Sequence, residues 1–116
     1  MTTYSGSCHC GAVTFEVQSD LSERIVCNCS LCGRAGTLYT FVPDSVFRAS
    51  GEETLTDYQF GKKSIHHTFC PVCGVRPFAR GTAPDGSGMV GVNIGCLEGV
   101  DRNTLEPTMK YDGASA

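Results

Sequence analysis

The chain has no tryptophan, only 18% charged residues and no long apolar run, and each shortage closes off a class of protein. Without a stretch of about 18 apolar residues, no membrane-spanning helix is expected. Nine basic residues against twelve acidic ones leave a formal charge of −3, so no nucleic-acid partner is expected. Residues 1–7 carry neither a basic head nor an apolar stretch, so no secretory leader is read and a reducing, cytoplasmic location is expected. Helical periodicity is also nearly missing: only residues 101–105 suggest a turn of helix, with Asp101 as its N-cap. At 116 residues the chain is expected to form one domain over 1–116, with 113–116 as a frayed tail.

Glycine and cysteine are what the sequence has in quantity. Fourteen glycines point to many tight turns, and eight cysteines offer the staple that a modest core requires. Val13, Phe15 and Val17 alternate with Thr14 and Glu16, the period of a half-buried strand. Residues 37–42, closed by Pro43, read as a second strand, and 45–48, 54–60 and 64–69 as further short ones. Residues 89–94 suit a strand buried on both faces, while glycine and proline make 81–88 a loop. Short strands separated by turns predict an all-β domain of several short antiparallel sheets.

The cysteines fall as Cys8-His-Cys10, Cys27-Asn-Cys29-Ser-Leu-Cys32 and Cys70-Pro-Val-Cys73-Gly74, with Cys96 alone. In a reducing setting such close spacing suits metal chelation better than cross-linking. Alternate side chains of an extended segment point the same way, so Cys8 and Cys10 can address one ion while His9 faces away. Cys70 and Cys73 have the spacing of a zinc knuckle. Structural zinc takes four ligands, so the two dyads combine as Cys8, Cys10, Cys70 and Cys73, a closed site. Cys27, Cys29 and Cys32 remain, three ligands with a vacant corner, as catalytic zinc sites have. Cys96 as an eighth ligand would instead close a second structural site, and spacing leaves both readings open. Its position after a buried strand also suits a small buried thiol.

These motifs resemble the glutathione-dependent formaldehyde-activating (GFA) family, which includes centromere protein V. The resemblance rests on Gly6-Ser-Cys-His-Cys-Gly-Ala-Val, Cys27-Asn-Cys-Ser-Leu-Cys, Phe69-Cys-Pro-Val-Cys-Gly, Val92-Asn-Ile-Gly-Cys-Leu-Glu-Gly-Val-Asp and Tyr111-Asp-Gly. It implies a tent-like arrangement of β-sheets gathered by two zinc ions. The structural ion would fall on Cys8, Cys10, Cys70 and Cys73, and the catalytic one on Cys27, Cys29 and Cys32. The implied activity is that of a carbon–sulfur lyase joining glutathione to formaldehyde, with a small thiol or thiol–aldehyde adduct as partner. The chain is shorter than the founding enzyme, and Gly33 precedes Arg34 where relatives often place a basic residue.

Arg34, two residues beyond Cys32, is the candidate for holding a substrate carboxylate. Lys62 and Lys63 follow Gly61 at a turn and read as exposed surface. Arg76 reads as a counter-charge to the closed site or as a packed stem. His66 and His67 suit strand surface or support, with proton transfer as the alternative. Tyr39 and Phe41 are expected to be core residues lining a pocket. The rival to an enzyme is a non-catalytic binding module organised by zinc, in which all eight cysteines would be engaged.

Overall fold

The computed structural model describes residues 1–115. The chain begins with β1 (Thr2–Ser7), β2 (Thr14–Ser19), β3 (Ile25–Cys27), the helix α1 (Ser30–Ala35), β4 (Tyr39–Pro43) and β5 (Phe47–Ser50). It continues through β6 (Thr56–Tyr58), β7 (His66–Phe69), β8 (Phe78–Thr82), β9 (Gly88–Asn93) and β10 (Met109–Tyr111). Two sheets result: a three-stranded one in the order β1-β2-β5, and a seven-stranded one in the order β10-β3-β4-β9-β8-β7-β6. The expected β class stands. Every pairing is antiparallel except β10 on β3, which is parallel.

The alternation read in 13–17 is present in β2, where Phe15, Val17 and Ser19 are buried and Thr14, Glu16 and Gln18 exposed. Phe15 and Phe47 of the smaller sheet meet Phe78 of the larger one, with ring centroids 5.5, 5.9 and 4.8 Å apart. Val42, Val90 and Val92 extend this core along the inner face of the larger sheet. The outer face of that sheet carries the site described below.

Other sequence expectations need correction. The predicted strand 45–48 begins only at Phe47, because Asp44–Val46 form a 3-10 turn. The strand expected over 54–60 shrinks to β6 behind a 3-10 turn at Glu52–Thr54. The loop expected over 81–88 contracts, since β8 runs to Thr82 and β9 starts at Gly88; Ala83 N donates to the Ser87 carbonyl at 2.8 Å. The strands β3 and β10 are three residues each, too short to show a period. Asp101 does cap a turn, a 3-10 turn at Arg102–Thr104, accepting from Asn103 N at 3.0 Å.

The helix α1 is the largest surprise. Its six residues include Gly33 and bury no side chain, so neither propensity nor an apolar stripe announces it. Cys29 replaces the usual hydroxyl or carboxamide cap, its sulfur accepting from Cys32 N at 3.3 Å. Gly36, left-handed at φ 67°, ends it. Residues Gly113–Ser115, where fraying is expected, form a 3-10 turn, and Ala116 lies outside the described residues. No helix among the described residues is long and apolar enough to cross a membrane.

Candidate functional site

Two groups of thiols come together. Cys8, Cys10, Cys70 and Cys73 have sulfurs within 4.8 Å of one another, as do Cys27, Cys29 and Cys32. The first group sits where the β1–β2 connection meets the β7–β8 connection, so it ties the smaller sheet to the larger. Cys8 and Cys10 are not on an extended segment as expected: β1 ends at Ser7, and Gly11 N donates to the Cys8 carbonyl at 3.2 Å, making a tight turn. Cys70 opens the matching turn, with Gly74 N donating to its carbonyl at 2.8 Å. Gly74 adopts φ 77°, which other residues enter at a cost.

The sulfur spacing tests the fit to a metal. Four thiolates at tetrahedral corners of zinc, each about 2.3 Å from the ion, lie about 3.8 Å apart. Cys8 and Cys10 sulfurs are 3.7 Å apart, and those of Cys10 and Cys70 are 3.6 Å apart. Val13 N points at the Cys8 sulfur from 3.5 Å, a donor that favours thiolate. Cys8 and Cys70 are buried while Cys10 is exposed, so one corner of the group reaches the surface. Contact with Val75 N–H, chiefly, brings the Cys73 thiol down to about 6. His9, between two of these cysteines, is exposed and belongs to neither group.

The second group is built by the end of β3 and the start of α1. Cys29 N donates to the Cys27 sulfur at 3.4 Å, and Cys32 N to the Cys29 sulfur at 3.3 Å. Burial pushes the Cys29 thiol up, but the Cys32 N–H and the thiols of Cys32 and Cys27 outweigh it and leave Cys29 below its ordinary value. Burial, with Cys29 beside it, pushes Cys32 up to about 12. The donor set is soft, close and partly exposed, which suits zinc. Cys96 does not join it. Its neighbouring thiols are Cys8 and Cys73, and burial lifts it to about 11.

The triad opens into a cleft of about 600 Å³ on the outer face of the larger sheet. Register explains the hollow. Phe41, Gly91, Ala79 and His67 are successive cross-strand neighbours on β4, β9, β8 and β7, so two small residues separate two rings. The Phe41 ring lies over Gly91, where an added Cβ would meet its Cε1 at 2.8 Å. Tyr39 and Phe41 line the cleft as expected, but only Tyr39 is a core residue, Phe41 being exposed; Phe60, Ile65, Met109 and Tyr111, which sequence reasoning did not select, join them. The segment after β10 closes round the triad: Asn28 donates to Asp112 Oδ1 at 2.9 Å and accepts from Ala114 N at 2.9 Å.

The charged candidates change places. Arg34 does not line the cleft; it is exposed on α1 and donates to the Ser30 carbonyl at 2.7 Å. Lys62, expected to be plain surface, does line it. His67 also lines it, 7% exposed, stacked on Phe60 at 5.3 Å, with Nδ1 buried and unpartnered. Burial, then the charge of Arg76, hold His67 below the ordinary histidine value, so the ring is neutral at pH 7. Arg76 thus acts electrostatically on His67 and Tyr39 at the cleft wall as well as standing near the knuckle. His66, by contrast, is exposed and pairs with Asp57 at 2.7 Å.

Fold and donor sets together define the class, a mostly β protein with two thiol groups that could each bind zinc. Comparison with known proteins narrows it further. The chain belongs to the glutathione-dependent formaldehyde-activating enzyme family, whose profile matches residues 3–112. Membership implies a small-molecule interaction related to glutathione. A Rhodobacter sphaeroides protein of known crystal structure is similar, at 34% identity and a TM-score of 0.81. That match covers 92% of this chain and 99% of the other.

Proposed function

We propose that the chain is a zinc-dependent, carbon–sulfur lyase-type enzyme that makes or breaks a thiol–aldehyde adduct of the glutathione–formaldehyde kind. The observation that carries this reading is the unlikeness of the two thiol groups: one joins the β1–β2 and β7–β8 connections, the other stands at the wall of a cleft. Cys8, Cys10, Cys70 and Cys73 would hold a structural ion, and Cys27, Cys29 and Cys32 a second one facing the cleft. Zinc held by three thiolates supplies a preference for the thiolate form of an incoming thiol and a Lewis acid for a carbonyl oxygen.

The remaining steps belong to the chain. Backbone N–H groups of residues 29 and 32 fix the thiol triad, and the turn after Tyr111 limits movement of Cys27. Tyr39, Phe41 and Tyr111 restrict water at the reacting atoms. The neutral His67 imidazole takes the thiol proton as sulfur attacks the aldehyde carbon, and returns it to the oxygen that becomes the hydroxyl. No net proton is gained or lost, and cleavage of the adduct runs the same path backwards.

Metal analysis and turnover of two variants test the assignment. Cys73→Ser is expected to abolish folding, because metal binding at a closed site is folding free energy. Cys29→Ser is expected to fold with one zinc ion fewer and to lose adduct formation, followed as consumption of free aldehyde. Equal collapse of both variants, or an active Cys29→Ser protein, contradicts the division. Thiol binding without turnover of any adduct would favour the binding module.

A further inference from the structure

We infer that the cleft takes a thiol, or its aldehyde adduct, with an apolar aryl or alkyl body and at most one carboxylate, in preference to the zwitterionic tripeptide glutathione. This rests on the proposed thiol chemistry of the triad and adds the substrate class.

The apolar walls come from unrelated elements. Phe41 of β4, Ile65 ahead of β7, and Met109 and Tyr111 of β10 are among the exposed large hydrophobic side chains, at 41%, 44%, 53% and 52% exposure. All four converge on the one cleft that the triad shares. Exposed apolar surface gathered in a concave site, against thiols that can hold a metal, marks a ligand with an apolar body. Tyr39 and Phe41, with centroids 5.7 Å apart and planes inclined by 37°, form one wall against which a ring can lie.

The charge inventory points the same way. Glutathione brings two carboxylates and an ammonium, each of which loses hydration unless the site replaces it. Among the described residues, Lys62 is the sole lysine, arginine, aspartate or glutamate that lines the cleft. Arg34 is turned to the Ser30 carbonyl and Arg102 to the Gly36 carbonyl at 2.8 Å. Lys110 alternates with Met109 and Tyr111, so it faces away from the cleft. Arg76 is felt at Tyr39 and His67 but does not itself line the cleft. A lining with one cation and no acid fits a ligand with a single anionic group; the thiolates of the triad repel a second.

Calorimetric titration of the zinc-loaded full chain distinguishes the substrates without relying on turnover. The probes are phenylmethanethiol, the carboxylate para-(mercaptomethyl)benzoate, glutathione and, as a control without sulfur, phenylmethanol. Both aryl thiols are expected to bind about tenfold or more tightly than glutathione, a discrimination of the size apolar pockets reach. Phe41→Ser, a change at a partly exposed position, is expected to remove about tenfold from phenylmethanethiol and less from glutathione. Lys62→Gln is expected to weaken the benzoate several-fold, about the worth of one exposed ion pair, and to spare phenylmethanethiol. Glutathione binding as tightly as the aryl thiols overturns the substrate class while the adduct chemistry stands. Absence of binding by every thiol, or phenylmethanol binding as well as phenylmethanethiol, overturns the thiol reading of the triad and this inference with it.

Discussion

Gly113 stands where no side chain fits: a Cβ there would lie 2.5 Å from the Cys27 sulfur and 3.1 Å from Cys29 Cβ. Gly113→Ala is therefore expected to push the triad out of shape and weaken its zinc by about tenfold or more, the usual cost of disturbing the groups that orient ligands. Competition with a coloured chelator should show one loosened ion and one unaffected; two unaffected ions would count against the crowding argument. His67 supports a second expectation, about pH. Its value is depressed on folding, so only well above the ordinary histidine value of about 6.5 is it neutral in both states and without pH dependence. As pH falls from there, the unfolded chain takes up the proton first and folded stability declines until the folded ring also titrates. Denaturant titrations of His67→Gln across pH 7 to 5 should show a shallower decline than the parent; parallel curves would rule out a depressed His67.

The short elements around the triad depend on one another. The helix α1 exists because Cys29 caps it, and β10 is held on β3 by a parallel register, Tyr111 opposite Cys27, that joins segments far apart in the chain. Asn28 bridges them through Asp112 and Ala114, with its backbone N–H donating to the Tyr111 carbonyl at 3.2 Å. Asn28→Ala removes the two side-chain bonds and leaves the backbone one. Hydrogen exchange at the Ala114 amide is expected to quicken, with the amides of β9 unchanged; continued protection of Ala114 would place the tether elsewhere. The expected strands of 37–42 and 89–94 survive as β4 and β9 because each is apolar, β9 at the centre of the sheet and β4 beside it, where pattern and packing agree. β3 and β10 carry no such local signal and form through contacts with distant partners, whereas α1 rests on its local caps, Cys29 and Gly36.

The two sheets meet through an aromatic cluster and a group of sulfurs. Phe78, 1% exposed, contacts Phe15 and Phe47 across the interface, so Phe78→Ala is expected to cost about 3–5 kcal/mol. Urea titration would measure it; a loss under about 1 kcal/mol would mean the interface repacks. Stripping metal with a strong chelator should unfold the chain, since Cys8 and Cys10 then repel or oxidise rather than bind the β7–β8 connection. Circular dichroism that kept its β signal after complete zinc removal would show the aromatic cluster to be sufficient. Such a small core leaves little margin, consistent with the reliance on a metal that the sequence suggests.

By itself the sequence determined the donor sets and the β class. Within each motif, ligands two or three positions apart meet through the geometry of a single turn, and alternation in 13–17 needs only a two-residue period. Tertiary structure alone decided the cleft: that Lys62 and His67 face it and Arg34 does not, that Ala79 lines it while Gly91 seats the Phe41 ring, and that Gly113 closes on Cys27. Those neighbours come from separate strands, and strand register is set by how the whole sheet packs, which no local pattern of residues contains.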